Sequence, residues 1–225
     1  MKIKIALLFF VCCPTFAAQQ KPESKVSKFF KNMLTCGAGF EAARPDYIER
    51  SIQAQREIGI PKNKIVKTYQ LNPKNTYDGV ATAFSMHLNL KLLDQKRYGR
   101  QRFVLLHEAA HIKNNDALLG YTKGICAGIF LGVVLIGSPG AAYNSIEAVA
   151  NNIRGSCEHR ADMQAAVALQ CAPCLQEEMF SISDQQKDGY MSHAECQPIL
   201  DGYLRDKKIC GYHANQPKPQ DECKE

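Results

Sequence analysis

The hydrophobic and polar positions of residues 82–90 alternate, and this period of two is the clearest pattern in the chain. Alternation places successive side chains on opposite faces, so it predicts a β-strand with one apolar face. The apolar face consists of Phe84, Met86, Leu88 and Leu90, and the polar face of Ser85, His87 and Asn89. A shorter strand is predicted over residues 65–70, followed by the turn-forming run of residues 72–75.

Helical patterns occupy much of the remaining chain. Pro45 and Asp46 open a helix that Gly59 and Pro61 end. Its candidate core positions are Ile48, Ile52 and Ile58. Long helices are also predicted over residues 98–114 and 144–170.

A capping box begins at Ser192 and ends at Glu195, which predicts a C-terminal helix. The apolar positions that follow at helical spacing are Ile199, Leu200, Tyr203 and Leu204.

Residues 125–136 are apolar nearly all round and are stopped by the Gly-Ser-Pro-Gly run of residues 137–140. A membrane-spanning helix needs about 20 apolar residues, so the length favours a buried helix. The alternative is a hairpin that dips into a membrane, which leaves peripheral membrane contact open.

The first residues have the pattern of a signal peptide. Lys2 and Lys4 are followed by the apolar run 5–13, then by Pro14 and small residues that favour cleavage after Ala17 or Ala18. The alternative is an uncleaved anchor. We therefore expect an exported protein, periplasmic or extracellular, with a signal peptide over 1–18, a polar segment over 19–44, one catalytic domain over 45–208 and a tail over 209–225.

The composition is typical of a folded domain and does not indicate a nucleic-acid partner. Hydrophobic residues make up 45% of the 225 residues, enough for a core. The formal net charge of +6 falls to +4 when the two lysines of the signal peptide are subtracted. Without a dense basic run, this mild charge does not indicate nucleic-acid binding.

Eight of the ten cysteines lie beyond the signal peptide. They are Cys36, Cys126, Cys157, Cys171, Cys174, Cys196, Cys210 and Cys223. An even number in an exported chain predicts disulfide bonds, although a buried Cys126 thiol would leave one partner over. Cys171 and Cys174 have the spacing of a redox motif, but a helical pattern precedes them, which favours a structural role.

The motif His107-Glu108-Ala109-Ala110-His111 carries the most chemical information. Residues four apart share one face of a helix, so both imidazoles can bind one zinc ion. Glu108 is then placed to act as the general base of a hydrolase.

A site of this type needs a third protein ligand. Glu158 and Asp162 lie four apart in the next long predicted helix. Glu158 is the candidate ligand, and Asp162 is placed to accept a hydrogen bond from a ligand histidine. His159 is the alternative ligand.

These five residues resemble the HtpX-like and CAAX-prenyl endopeptidase family of gluzincins, which combines HExxH on one helix with ExxxD on a later one. The resemblance covers about residues 45–205 and is specific at the site. It implies an α+β, mainly helical, zincin-like fold with a small edge-stranded sheet. The family's membrane members have several spans that are not apparent here, so the chain is more similar to the small soluble or periplasmic members.

The resemblance also implies a mechanism. A polypeptide substrate, unfolded or membrane-associated, would pair along residues 82–90 as an added strand while Glu108 activates water beside one zinc ion. His193, His213 and Arg160 are candidates for stabilising the oxyanion.

Two other functions remain open on the sequence. One is a catalytically silent metal-binding scaffold or chaperone, and the other is a disulfide-stabilised helical binding module without metal. The chain has neither a Walker-type phosphate loop nor a Gly-x-Ser-x-Gly elbow, which argues against nucleotide enzymes and serine hydrolases.

Overall fold

The protein has an α+β fold that is mostly helical and contains one small mixed sheet of four strands. The structure is a computed structural model, and it describes residues 41–117, 155–182 and 190–216. The predicted signal peptide and the apolar run 125–136 lie outside these residues. Among the described residues, no helix combines the length and the apolar character that crossing a membrane requires.

The N-terminal half contains the sheet. Its elements are β1 (Glu41–Ala42), α1 (Pro45–Glu57), a 3-10 turn (Lys62–Lys64), β2 (Lys67–Gln70), β3 (Gly79–Ala81) and β4 (Ser85–Leu88).

The rest of the described chain is helical. Its elements are α2 (Leu90–Leu93), α3 (Tyr98–Asn114), α4 (residues 155–169), α5 (Ala172–Ile182), α6 (His193–Arg205) and α7 (Gly211–Ala214). The predictions for α3, for the described part of residues 144–170 and for the capping box of α6 are confirmed.

The strand order β1-β2-β4-β3 corrects the prediction for residues 82–90. β4 lies inside the sheet, parallel to β2 on one side and antiparallel to β3 on the other. Both of its edges are therefore already hydrogen-bonded, and β4 cannot accept a further strand. The end strand on this side of the sheet is β3.

A tight turn also shortens the predicted strand. The Thr82 hydroxyl accepts hydrogen bonds from the backbone N–H groups of Phe84 and Ser85, at 3.2 and 3.0 Å, and reverses the chain between β3 and β4. Phe84 is 68% exposed at this turn, whereas both faces of β4 are buried. The polar residues at alternate positions thus pack inside the protein instead of facing water.

Helix α1 begins and ends as the sequence predicts but turns a different face inward. Pro45 stands at its start, and Gly59 follows its end with a φ of +92°, a left-handed conformation that favours glycine. The residues of α1 that are buried are Tyr47, Ser51, Ala54 and Gln55. Ile48 and Ile52 are only partly buried, so of the three predicted core positions Ile58 alone is fully inside.

Helix α3 is the centre of the structure, packed between α1 and α5 and against the sheet. Residues 103–106, which precede the HExxH motif, are each at most 6% exposed. Burial on several sides explains how this helix holds its side chains in fixed positions.

Two described elements lie outside the predicted domain of residues 45–208. β1 pairs with β2 and belongs to residues 19–44, which were predicted as a polar segment. Helix α7 lies in the predicted C-terminal tail but forms one turn that packs on α3, where Tyr212 stacks on Tyr98 with ring centroids 4.0 Å apart.

Candidate metal centre

Helix α3 presents two imidazoles side by side. His107 and His111 are one helical turn apart, and their Nε2 atoms lie 3.0 Å from each other. Both side chains are largely buried, with 13% and 12% of their surface exposed.

Helix α4 supplies the third group. Glu158 Oε2 lies 3.3 Å from His107 Nε2 and 3.5 Å from His111 Nε2. We call these three residues the His/Glu centre. They come from two helices, and they are one of the two described groups whose ligand atoms all lie within 4.8 Å of one another.

The spacing of these atoms fits a zinc ion. Donors 2.0–2.1 Å from a tetrahedral ion are about 3.3–3.4 Å apart, close to the three distances in the His/Glu centre. Because both Nδ1 atoms face carboxylates, each Nε2 is free to present a lone pair toward the carboxylate of Glu158. Converging acceptors of this kind repel one another unless a cation lies between them.

Asp162 fixes the orientation of the first imidazole. Its Oδ1 accepts a hydrogen bond from His107 Nδ1 at 2.7 Å, and its Oδ2 accepts one from the backbone N–H of Met191 at 3.1 Å. The second bond holds the carboxylate in place from the segment before α6. The structure thus places Asp162 where the sequence predicts it.

Asp116 does the same for the second imidazole, and the sequence analysis missed it. Asn115 ends α3 in the left-handed conformation, with φ of +54°, and turns the chain back along the helix. Asp116 Oδ2 then accepts a hydrogen bond from His111 Nδ1 at 2.9 Å, while its other oxygen pairs with Arg160. An asparagine followed by aspartate just past the helix of the HExxH motif was the available signal.

Glu108 lies against the end strand of the sheet. Its side chain is only 6% exposed, and the backbone N–H of Ala81 lies close enough to its carboxylate to favour the charged form. Strand and side chain approach so closely that a Cβ at position 79 would stand 2.9 Å from Glu108 Oε1, which explains the glycine there. Burial raises the pKa of Glu108, as suits a general base.

The charges in the His/Glu centre strongly favour a cation. Burial lowers the pKa of His107, but hydrogen bonds to Asp162 and Glu158 outweigh it and raise the pKa to about 10. Burial also lowers the pKa of His111, but hydrogen bonds to Asp116 and Glu158 outweigh it and raise that pKa to about 9. Burial raises the pKa of Glu158, but the two imidazoles outweigh it and hold that pKa well below its ordinary value. A metal ion would neutralise the same carboxylates.

Of the four further candidates for the site, three make their contacts away from the His/Glu centre, and Arg160 contacts it only through Asp116. His159, the alternative ligand, faces Glu195 at 2.8 Å, and Arg160 pairs with Asp116. His193 bonds to the carbonyl of Met179 at 2.7 Å, and His213 lies beside cysteines. The contacts of His193 and His213 thus do not support the oxyanion role for which they are candidates, whereas Arg160 stays beside the His/Glu centre.

The described cysteines change the disulfide expectation. Cys171, Cys174, Cys196 and Cys210 are free thiols, and three of them lie together. The predicted partners Cys36, Cys126 and Cys223 lie outside the described residues.

An open groove of about 630 Å³ lies between α1, α3 and α4. Its lining includes Arg102, Lys113 and Gln164 but none of the site side chains, so we do not assign it to the His/Glu centre.

Comparison with known proteins adds no relative. The chain matches no protein-family model, no curated protein and no solved structure. The resemblance to gluzincins therefore rests on the motif residues of the sequence alone.

Proposed function

We propose that the protein is a zinc-dependent endopeptidase that hydrolyses peptide bonds of exported or envelope proteins. The observation that carries the proposal is the convergence of His107, His111 and Glu158 beside the buried carboxylate of Glu108. Three nitrogen and oxygen donors leave a fourth position for water or substrate, which is the arrangement of catalytic zinc sites.

The residues of the His/Glu centre would hold the ion, and Asp162 and Asp116 would keep both imidazoles in the tautomer that presents Nε2. A zinc ion bound there supplies Lewis acidity, which polarises a carbonyl and makes water nucleophilic at neutral pH.

Glu108 carries the proton. As the oxygen of water forms a bond to the peptide carbon, the Glu108 carboxylate takes the proton that the water loses. When the C–N bond breaks, Glu108 returns that proton to the leaving amine. Its buried position raises its pKa and favours both transfers.

The substrate would pair with β3 instead of β4. The backbone carbonyl of Asp78 accepts a hydrogen bond from the backbone N–H of Asn89, and the backbone N–H of Thr82 donates one to the carbonyl of Ser85. In an antiparallel pair the bonding direction alternates, so Gly79 and Ala81 direct their backbone groups away from β4. An extended peptide added at this edge would lie next to Glu108, and main-chain pairing tolerates many side chains.

The decisive experiment compares the parent with Glu108→Gln. The variant keeps the shape of the side chain but cannot accept the proton, so cleavage of unfolded casein should fall by about 10²–10⁴-fold. Zinc content should stay at the parent value, because Glu108 is not a ligand. Glu49→Gln, on an exposed position of α1, is the matched control and should retain full activity.

The proposal fails if Glu108→Gln cleaves casein as fast as the parent. A parent that binds zinc in the His/Glu centre but cleaves no unfolded protein would favour the scaffold function instead.

A further inference from the structure

A second cluster of metal-binding side chains lies at the opposite end of α3. Cys171, Cys174, Cys210 and His213 place their ligand atoms within 4.8 Å of one another. We call this group the Cys3His cluster. It shares no residue with the His/Glu centre.

The chain delivers these donors as two pairs, each with two residues between its members. This spacing is common in zinc sites because it brings both donors to one side of a tight turn. Each pair follows a residue that ends a helix in the left-handed conformation, Gln170 with φ of +46° and Lys207 with φ of +52°. The backbone N–H of Ala172 donates to the carbonyl of Lys208 at 2.9 Å and joins the two turns.

The sulfur positions fit a shared ion better than a disulfide. Cys210 Sγ lies 3.2 Å from Cys171 Sγ and 3.6 Å from Cys174 Sγ. Sulfurs 2.3 Å from a tetrahedral zinc ion are about 3.8 Å apart, whereas a disulfide joins only two sulfurs at about 2.05 Å. The backbone N–H of Cys210 also points at Cys171 Sγ, at 3.4 Å.

His213 supplies the independent observation. Its Nε2 is buried and has no hydrogen-bond partner among the described residues, and the carboxylate of Glu177 is 3.9 Å away. A buried polar atom without a partner costs about 1–3 kcal/mol. A metal ion accounts for this atom in either case. As the ligand, Nε2 binds the ion directly; with Nδ1 as the ligand, Nε2 carries the proton on the side of Glu177.

We propose that Cys171, Cys174, Cys210 and His213 bind a second zinc ion, which has a structural role. Three thiolates and one imidazole complete a tetrahedron and leave no open position for water, which is the mark of structural zinc sites. The ion would join the segment carrying α7 to the start of α5.

This ion would also support α3. A Cβ at position 99 would stand 2.7 Å from the Cα of Cys174, so only glycine permits this close approach of α3 to the Cys3His cluster. The backbone N–H of Gly99 donates to Glu177 at 2.7 Å. His107 follows eight residues later, about 12 Å along the same helix.

The test measures zinc in the full chain, purified under reducing conditions without chelator. We expect about two zinc ions per chain in the parent and about one in Cys174→Ser, in Cys210→Ser and in His111→Ala. Combining Cys174→Ser with His111→Ala should remove both. Cys196→Ser is the matched control, since this equally buried thiol lies outside the Cys3His cluster, and it should keep both ions.

Cobalt substitution identifies the ligands even if a cysteine variant folds poorly. Thiolate-to-cobalt charge-transfer absorption should be present in the parent and in His111→Ala. In the parent, a mercurial reagent that titrates thiols should release about one zinc ion.

Two results would overturn the proposal. The first is an unchanged zinc content in Cys174→Ser, combined with the absence of thiolate-to-cobalt absorption in the parent. The second is a disulfide among Cys171, Cys174 and Cys210, detected in a digest that has not been reduced. His111→Ala tests the other site separately. If Cys174→Ser loses zinc and His111→Ala does not, the result supports this inference and contradicts the metal site of the proposed endopeptidase.

Discussion

The two ends of helix α3 carry two clusters of metal-binding side chains with contrasting designs. The His/Glu centre has three nitrogen and oxygen donors, a buried carboxylate beside them and an end strand of the sheet within contact. The Cys3His cluster has four donors, three of them sulfur, and joins segments that are distant in sequence. The number of protein ligands distinguishes the two clusters. A metal ion with an open coordination position can bind water or substrate, whereas an ion with four protein ligands can only stabilise the fold.

The two clusters also differ in the groups that contact their metal-binding side chains. Carboxylates orient both imidazoles in the His/Glu centre and would so control the donors of an ion bound there. In the Cys3His cluster, the nearby contacts are a backbone N–H directed at a sulfur and a glycine that permits close packing, and the one carboxylate near His213, that of Glu177, is 3.9 Å away. The comparison predicts that changes in the first cluster alter metal affinity and activity, whereas changes in the second alter stability.

The largest effect should follow from Cys174→Ser. Loss of a structural metal should lower the free energy of unfolding by at least about 4 kcal/mol. Calorimetry or denaturant titration at fixed free zinc measures this change. Cys196→Ser serves as the control, and equal destabilisation by both variants would remove the distinction between the two clusters.

A large effect of pH should appear at the His/Glu centre. Since the folded pKa values of His107 and His111 lie above the ordinary 6.5, their charged pairs stabilise the metal-free protein fully below that pH. This stability is lost as the pH rises through about 9 and 10.

Zinc affinity should change in the opposite direction, because zinc displaces the same protons. It should rise by about tenfold or more per pH unit between 6.5 and 8.5. Competition with a chelator of known affinity, in a variant lacking Cys174, measures it. A flat profile would show that protons and zinc do not compete for these imidazoles.

A smaller effect is expected for Asp116→Asn. The amide oxygen can still accept a hydrogen bond from His111 but no longer provides the charge, so zinc affinity should fall by about 10–100-fold. Asp201→Asn, on the exposed side of α6, is the control. An unchanged affinity would show that Asp116 serves only its ion pair with Arg160.

The smallest effect should come from Gly79→Ala. The added methyl group would displace the Glu108 carboxylate by a few tenths of an ångström, and we expect turnover to fall by about tenfold with zinc content unchanged. Casein cleavage under saturating zinc measures it. Gly202→Ala is the control, because a Cβ there meets no atom within 4 Å. Unimpaired turnover would separate β3 from catalysis.

Local patterns predicted a large share of the fold. The bounds of α3, the capping box of α6 and the start of α1 depend on residues within one or two helical turns, and the structure confirms them. The prediction of an edge strand over 82–90 was wrong. Alternation reveals that a segment is extended, but pairing with β2 and β3 decides whether its edges are free.

The candidate site shows the same division. The spacing of His107 and His111 is visible in the sequence because one helix carries both. Asp116 escaped notice because a single left-handed residue reverses the chain and brings it back. The Cys3His cluster escaped notice because its two pairs are more than 30 residues apart, and the Cys171 spacing alone also fits a redox motif.

By itself, the sequence determined which side chains the helices carry: two imidazoles four residues apart with an acid between them, and two carboxylates on a later helix. The tertiary structure alone decided which strand has a free edge, which carboxylate faces each imidazole and which cysteines meet a histidine. The reason is range, since helical spacing and capping act over a few residues, whereas these contacts depend on how separate elements pack together.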